Sequence, residues 1–382
     1  MDQRAIALVR MNFRSVLDTP DGPERLVNSF YGYLFGDNPE LRQLFPAAMD
    51  MQRHRFLTAL TAIVDGLDDT DRIIAILEQL GRDHRKYGVE GDHYEAAGQA
   101  LYAALAEFTG PALWTDSIDD AWRDVITLIV YSMADGADTD DLPPHWDATV
   151  LEHHRVLDDL AIVRLESEVP FEAGQYLPVL IPQRPRMWRY LSPAIPHNQA
   201  GQLEFHVRRV SGGWVSPSIV NETQPGDRWA LGAPLGGLKV DLQRDVLMIG
   251  SGTGLAPLRA QVMEMAMRGT NPRVHLFVGG RYPCDLYDVQ TLWQISLSNP
   301  WLTVVPVTEQ DADPWWNTKP VPETPEGMHR TLYGPIGEVV ASFGTWSDRQ
   351  IQIAGSPTMI RDTTKALLDA GTPSWLITHD PV

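Results

Sequence analysis

The chain has 382 residues, 43% of them hydrophobic and 21% charged, which is the composition of a soluble globular protein of two or three domains. Its one cysteine, Cys284, excludes an internal disulfide framework and any zinc or iron–sulfur site built on several thiolates, and points to the cytoplasm. A formal net charge of −19 argues against nucleic acid or an anionic membrane as partner, and without a run of eighteen apolar residues no membrane span is expected.

Residues 1–137 read as helical. The opening MDQRAIALVRMNF carries charges inside its apolar stretch and no cleavage pattern, so it is not read as a signal peptide. SFYGYLF sets Tyr31 on one face with Val27 and Leu34. Phe45 follows across NPELRQLF. Gln52, Phe56, Leu60 and Ile63 then recur at spacings of four, four and three. Two polar residues, Tyr31 and Gln52, thus point inward. A buried hydroxyl or amide without a partner costs about 1–3 kcal/mol, so something should meet them. On a helix from about Asp71 to Tyr87, the series Ile73, Leu77, Leu80, His84, Tyr87 puts His84 on the apolar face. It is either a core histidine bonded to a carbonyl or an axial ligand to iron.

Residues 138–148, TDDLPPHWDA in their main part, read as a linker of acids and paired prolines. From 149 to 242 come short strands, LAIVRLES, GQYLPVLIP, LEFHVRRV and DRWALGAP, separated by turns; that spacing predicts a small antiparallel β-barrel. On it, Tyr176 lies in GQYL and Arg189, Tyr190, Leu191 and Ser192 form RYLS. An arginine beside a serine either clamps a pyrophosphate and a flavin ring or is ordinary strand composition. Gly212, Gly213, Val215 and Ser216 then make a candidate phosphate-facing turn.

From 243 to 382 strands alternate with helices, which means a parallel α/β sheet. DVLMIGSGTGLAPLRAQV carries the strongest motif: a strand, then Gly252, Thr253 and Gly254, then Leu255, Ala256 and Pro257 opening a helix. Glycines let amides approach a pyrophosphate, and the helix N-terminus favours its charge. A second corner, with Gly355, follows IQIA. Two such corners at strand ends suit one extended dinucleotide. Arg281, after a third strand, is either a ribose or 2′-phosphate contact or a solvated arginine.

GQYL, RYLS, GGWVS, GTGLAP and AGSPTM in this order resemble the ferredoxin-reductase-like flavoproteins. That resemblance implies FAD on the barrel, contacted from Tyr176 and Arg189–Ser192, and NADH or NADPH at Gly252–Pro257. SFYGYLF, NPELRQLF, QRHRFLTAL and HRKYGVEGDHYEAAGQALYAAL resemble a bacterial globin, so the whole chain resembles a flavohaemoglobin, of a divergent, actinobacterial-type branch. The implied architecture is an all-α globin, a six-stranded antiparallel β-barrel for FAD, and an α/β nucleotide-binding domain. By this resemblance His84 is the proximal ligand of haem b. Tyr31 and Gln52 are distal donors to oxygen, Phe45 packs on the haem, Phe56 lines the pocket, and Tyr94 is the proximal tyrosine. Three positions depart from the pattern. The flavin-stacking aromatic is replaced by Leu191, with Tyr190 one residue away. The cysteine near the nicotinamide is replaced by Ala354, and the C-terminal aromatic aligns with His379. A fourth departure lies behind the haem: Ala137 stands where the family's glutamate is expected, and Asp135 or Asp138 takes its place only with a shift of register.

The implied activity is electron transfer from NAD(P)H through FAD to haem-bound oxygen, which oxidises nitric oxide to nitrate. A different donor, such as D-lactate with His379 as general base, is an alternative. A haem-based gas sensor is the other.

Overall fold

A computed structural model describes every residue except 1, 47, 140, 318–324, 326 and 381–382, so Pro381 and Val382 at the end of the expected nucleotide-binding domain lie outside it. The chain divides into two compact units, residues 1–145 and 146–382. Among the described residues no helix is long and apolar enough to cross a membrane.

The first unit is all helical: α1 (Gln3–Asp18), α2 (Gly22–Asp37), α3 (Asp50–Gly66), α4 (Thr70–His84), α5 (Gly91–Thr109) and α6 (Asp116–Asp138). Helix starts are set by side-chain caps: Asp2 accepts from Ala5 N, Asp69 from Arg72 N and Thr115 from Ile118 N. The helix carrying His84 ends at His84 itself, and a 3-10 turn, Arg85–Tyr87, carries the chain on to Gly88 at φ 78°. Trp122 is fully buried in the core and donates from Nε1 to Asn12 Oδ1 at 2.8 Å; Asn12 in turn donates to Thr109 Oγ1 at 3.0 Å. One satisfied polar bridge thereby joins α1, α5 and α6 inside an apolar core.

Two glycines let α4 and α6 touch backbone to backbone. A Cβ on Gly81 would stand 2.0 Å from Met133 O, and one on Gly136 would stand 2.3 Å from Glu78 O. No side chain fits at either place. The close crossing holds the C-terminal half of α4, which ends on His84, against the last third of α6.

The second unit begins with β1 (Trp146–Leu157), inside the stretch read as linker. It continues through β2 (Leu160–Ser167), β3 (Leu177–Leu180), β4 (Arg189–Leu191), β5 (Gln202–Arg208), the helix α7 (Val215–Glu222) and β6 (Arg228–Leu231). The antiparallel order is β4-β3-β6-β1-β2-β5. A bridge from Pro193 to Phe205, with Ala194 N donating to Glu204 O at 2.7 Å, brings the end of β4 back to β5 and nearly closes the barrel. Its interior is filled by inward residues such as Val163, Leu177, Phe205 and Trp229.

The α/β part runs β7 (Val246–Ser251), α8 (Leu255–Ala266), β8 (Val274–Gly280), α9 (Val289–Ser298), β9 (Leu302–Thr308), β10 (Leu332–Tyr333), α10 (Ile336–Ala341), β11 (Gln350–Ala354), α11 (Pro357–Asp369) and β12 (Ile377–Thr378). The sheet is parallel, in the order β10-β9-β8-β7-β11-β12. The chain steps outward from β7 and then returns to place β11 on its other side. The switch point, where ligands of such sheets sit, therefore lies between β7 and β11.

Candidate functional site

In the helical unit, Tyr31 is buried at 4% exposure among the rings of Phe30, Phe35, Phe45 and Phe56, with Phe45 edge-on at 5.7 Å and Phe56 at 5.9 Å. Its hydroxyl is hydrogen-bonded by the Gln52 side chain, so the two inward polar residues meet each other. Burial raises the Tyr31 hydroxyl to about 12, against the opposing pull of Gln52 and Arg53. It therefore stays protonated at neutral pH, able to donate.

His84 is half-buried. Its Nδ1 lies 2.6 Å from Leu80 O, one turn back, and Nε2 has no partner among the described residues. Burial lowers its pKa, the Leu80 carbonyl opposing. The imidazole is therefore neutral, donates from Nδ1 and presents a lone pair at Nε2, which is the form a metal takes. Tyr87 and Tyr94 flank the ring edge-on at 6.0 and 6.5 Å. Tyr94 is buried and donates to Gly81 O at 3.2 Å, so it braces the turn before His84 rather than the histidine. Its hydroxyl is pushed up to about 12, first by burial and then by the charge of Asp138. Asp138 is the last residue of α6. Among the described residues no three His, Cys, Asp or Glu side chains are grouped to hold a metal ion. An iron already held by a porphyrin needs one protein ligand, and a neutral His84 with Nδ1 committed to Leu80 O fits that requirement.

In the barrel, Leu177 pairs with Leu191 and Pro178 with Tyr190. Period-two alternation sends Leu191 to the barrel core and leaves Tyr190 outside, 55% exposed, with its ring edge-on to Tyr176 at 5.3 Å. Arg189 is exposed and donates to Trp188 O at 2.7 Å; Ser192 is half-buried. Beside Tyr176 the chain passes Gly236 at φ 97°, where a Cβ would meet the Tyr176 ring and Asp380 Oδ1, both at 2.9 Å. Asp380 accepts from Gly237 N at 3.0 Å, and burial raises its pKa. His379, the residue before Asp380, is exposed. The Gly212–Gly213 turn leads directly into α7. Val215 is buried at its first position, Ser216 Oγ accepts from Val210 N at 3.1 Å, and no side chain caps the helix, so its first amides stay open to a phosphate. That helix was not expected from the sequence, because its eight residues, VSPSIVNE, are too few for a helical period to show.

At the switch point, Gly252–Gly254 form a 3-10 turn between β7 and α8, Gly252 standing at φ 55° with Thr253 half-buried beside it. Leu255, Ala256 and Pro257 open α8, again without a side-chain cap. A Cβ on Gly254 would lie 2.5 Å from Gly355 Cα and 2.6 Å from Ala354 O. The two glycine corners are thus in contact, as one extended ligand requires. Next to them opens a cleft of about 870 Å³, lined by Ser251, Gly252, Gly280, Arg281, Glu309 and Ser356 among others. Arg281 faces this cleft with its guanidinium 5.4 Å from the Tyr282 ring centre.

A buried ionic network that no motif announced links the barrel to the α/β part. Glu204 on β5 meets His206 Nε2 at 3.0 Å, Arg164 Nε at 2.8 Å and Arg259 Nη1 at 3.1 Å; Arg259 also meets Asp288 Oδ2 at 2.7 Å. The available signal is an arginine inside LAPLRAQV, an otherwise largely apolar helix start. Burial works to raise the Glu204 pKa, but bonds to His206 and Arg164 and the charge of Arg259 overcome it and hold the carboxyl at about 2, below its usual 4.5. A carboxylate with a depressed folded pKa stabilises the fold fully above its unfolded value and loses that contribution as pH falls through the folded one. Stability of the second unit should therefore fall between about pH 4.5 and 2. Thermal melts followed by near-ultraviolet circular dichroism across that range check this, and Glu204→Gln should flatten the slope while lowering the melting temperature at pH 7.

Comparison with known proteins agrees with these three parts. Residues 28–133 match the Globin family, 147–240 the oxidoreductase FAD-binding domain and 248–365 the oxidoreductase NAD-binding domain. A flavohaemoprotein of Bordetella pertussis is 28% identical over 278 residues, spanning 64% of this chain and 67% of that one. A ferredoxin–NAD(P)+ reductase of Metapseudomonas resinovorans is 31% identical over 233 residues, spanning 59% of this chain and 66% of that one. The chain thus spans about two thirds of the length of these relatives. The crystal structure of a flavohaemoglobin from Malassezia yamatoensis, with bound FAD and haem, superposes with a TM-score of 0.75 over 99% of this chain and 98% of that one; at 15% identity it speaks for the fold alone. A globin followed by an oxidoreductase FAD-binding domain and an oxidoreductase NAD-binding domain places the chain among the flavohaemoproteins.

Proposed function

We propose that this oxidoreductase uses NAD(P)H to convert nitric oxide and oxygen to nitrate. One NAD(P)H, two nitric oxide and two oxygen molecules give two nitrate ions, one NAD(P)+ and one proton. The observation that carries this reading is the presence, in one helical unit, of a neutral His84 whose Nε2 has no partner among the described residues and of a buried Tyr31–Gln52 donor pair. When bound, FAD accepts a hydride and releases electrons singly, and haem iron holds a diatomic gas.

The chain's residues divide the remaining work. His84 would hold the iron through Nε2, and its Nδ1–H on Leu80 O fixes the ring's tautomer and orientation. Tyr31 would offer its hydroxyl to a polar ligand held in the haem pocket, with Gln52 aiming that hydroxyl. Phe45 and Phe56 keep water away. Tyr94, under the charge of Asp138, braces the turn behind His84. On the barrel, Tyr176, Tyr190, Arg189 and Ser192 would hold FAD, and the Gly213–Ser216 turn would take a phosphate. The Gly252–Pro257 and Gly355 corners hold the NAD(P)H pyrophosphate.

Nitric oxide consumption in air-saturated buffer, with and without NADH or NADPH, tests the reading; consumption independent of both would sink it. Tyr31→Phe keeps the ring and removes the donor. A charge-assisted hydrogen bond is worth about 1.5–3 kcal/mol, so nitric oxide consumption should drop roughly 10- to 100-fold with haem content unchanged.

One observation favours a second donor: Asp380, tied to Gly237 N at the turn that borders the Tyr176 ring, directly follows the exposed His379. His379 would serve as general base toward the hydroxyl of a 2-hydroxy acid such as D-lactate, and a bound flavin would supply the hydride-accepting chemistry. Anaerobic mixing with NADH, NADPH and D-lactate separates the two donors by which one bleaches the flavin.

A further inference from the structure

Arg259 stands two residues past Pro257, in the first turns of the helix that the Gly252–Gly254 corner opens. It is 7% exposed. Its Nη1 donates to Ala194 O at 2.6 Å and lies 3.1 Å from Glu204 Oε1, while Nε lies 2.7 Å from Asp288 Oδ2. Ala194 is two residues past Ser192, in the segment that continues the RYLS strand, and its own N–H donates to Glu204 O at 2.7 Å. Asp288 sits immediately before α9. One guanidinium therefore joins the dinucleotide-binding helix to the main chain at the end of the flavin strand, and to an acid on each side.

Burying a guanidinium is costly unless partners surround it, and this one has a hydrogen bond to Ala194 O and close ion pairs with Glu204 and Asp288, though Nε and Asp288 Oδ2 lack hydrogen-bond geometry. The planar fork reaches them in fixed directions, which a lysine ammonium does not reproduce. His206 stiffens the barrel side, with Nε2 3.0 Å from Glu204 Oε1 and Nδ1 2.8 Å from the Tyr287 hydroxyl; Tyr287 adjoins Asp288. Arg208 adds a second tie across the same boundary, 2.7 Å from Asp285 Oδ1. Ion pairs from two arginines thus cross this boundary.

We propose that Arg259 is a positioning residue that sets the separation and angle between the nicotinamide held at the Gly252–Gly254 corner and the flavin held on the Arg189–Ser192 strand. The proposal rests on the reading of those two places as NAD(P)H and FAD sites. Hydride transfer is sensitive to such placement, a shift of about 1 Å costing on the order of 100-fold in rate. A residue that only glues the two parts together would affect folding and cofactor retention, and not the rate at saturation.

The test uses the full-length holoprotein and Arg259→Lys, which keeps the charge and loses the fork. Anaerobic stopped-flow mixing with NADH and NADPH gives the limiting rate of flavin reduction and the half-saturating coenzyme concentration. The long-wavelength charge-transfer absorbance, FAD content and thermal midpoint are read in parallel. The limiting rate should fall about 10- to 100-fold and the charge-transfer band should weaken, with half-saturation and FAD content within about twofold of wild type. Asp288→Asn, which removes one of the three ties, should give a smaller drop of the same kind and serves if the lysine variant does not fold. An unchanged limiting rate, or a fall that only follows lost FAD and a lowered midpoint, overturns the positioning role. A wild-type protein whose flavin neither NADH nor NADPH reduces overturns the underlying reading instead, and is seen before any variant is made.

Discussion

His84→Ala should yield a folded chain without a Soret band. Nitric oxide consumption should fall by more than the roughly 10- to 100-fold typical of losing a residue that only supports a metal ligand. The reason is geometric: Nδ1 is committed to Leu80 O, and Nε2 is the lone pair available to iron. The structural cost is modest. His84 ends its helix, so its loss leaves one terminal carbonyl short of a donor, about 1–3 kcal/mol if water does not replace it. Reduction of ferricyanide by NAD(P)H should stay within about twofold of wild type, because it uses the second unit alone. Imidazole added to the variant should restore part of the Soret band by filling the vacated place. Wild-type Soret intensity in the variant would show that another residue holds the haem.

Gly254→Ala should weaken NAD(P)H binding at least about tenfold while leaving haem and FAD in place. A Cβ there would lie 2.5 Å from Gly355 Cα and 2.6 Å from Ala354 O, and both obstacles are backbone, which does not swing aside as a side chain does. The corners must separate, and the pyrophosphate loses amides from one of them. Gly252→Ala is the useful contrast. Nothing lies within 4 Å of its Cβ, so its cost comes only from holding φ at 55°. Titration with a nicotinamide dinucleotide followed by tryptophan fluorescence reads both variants. Equal affinity in Gly254→Ala and wild type would mean that the two corners do not share one ligand.

Much of this protein is legible in its residues because its motifs are local. The Gly252–Pro257 corner, the inward stripe of Gln52, Phe56, Leu60 and Ile63, and the apolar placement of His84 each follow from periodicity over a few turns. The same local logic separates Tyr190 from Leu191, since a one-residue step on a strand changes face. The sequence by itself thus determined an all-α part, a barrel and a parallel α/β sheet.

What it left open depends on which elements lie beside which. Ala137 leaves the place of the family's glutamate empty in one dimension; the end of α6 puts Asp138 where its charge acts on Tyr94, which braces Gly81 O. Gly81 and Gly136 are unremarkable in sequence and essential in packing, because each faces the other helix's backbone. Arg259, Glu204 and Asp288 lie far apart along the chain, and only the docking of the barrel on the α/β sheet brings their charges together. Hydrophobic period and turn chemistry act between neighbours in sequence. Buried charge pairs and backbone contacts act between neighbours in space, so the tertiary structure alone decided them.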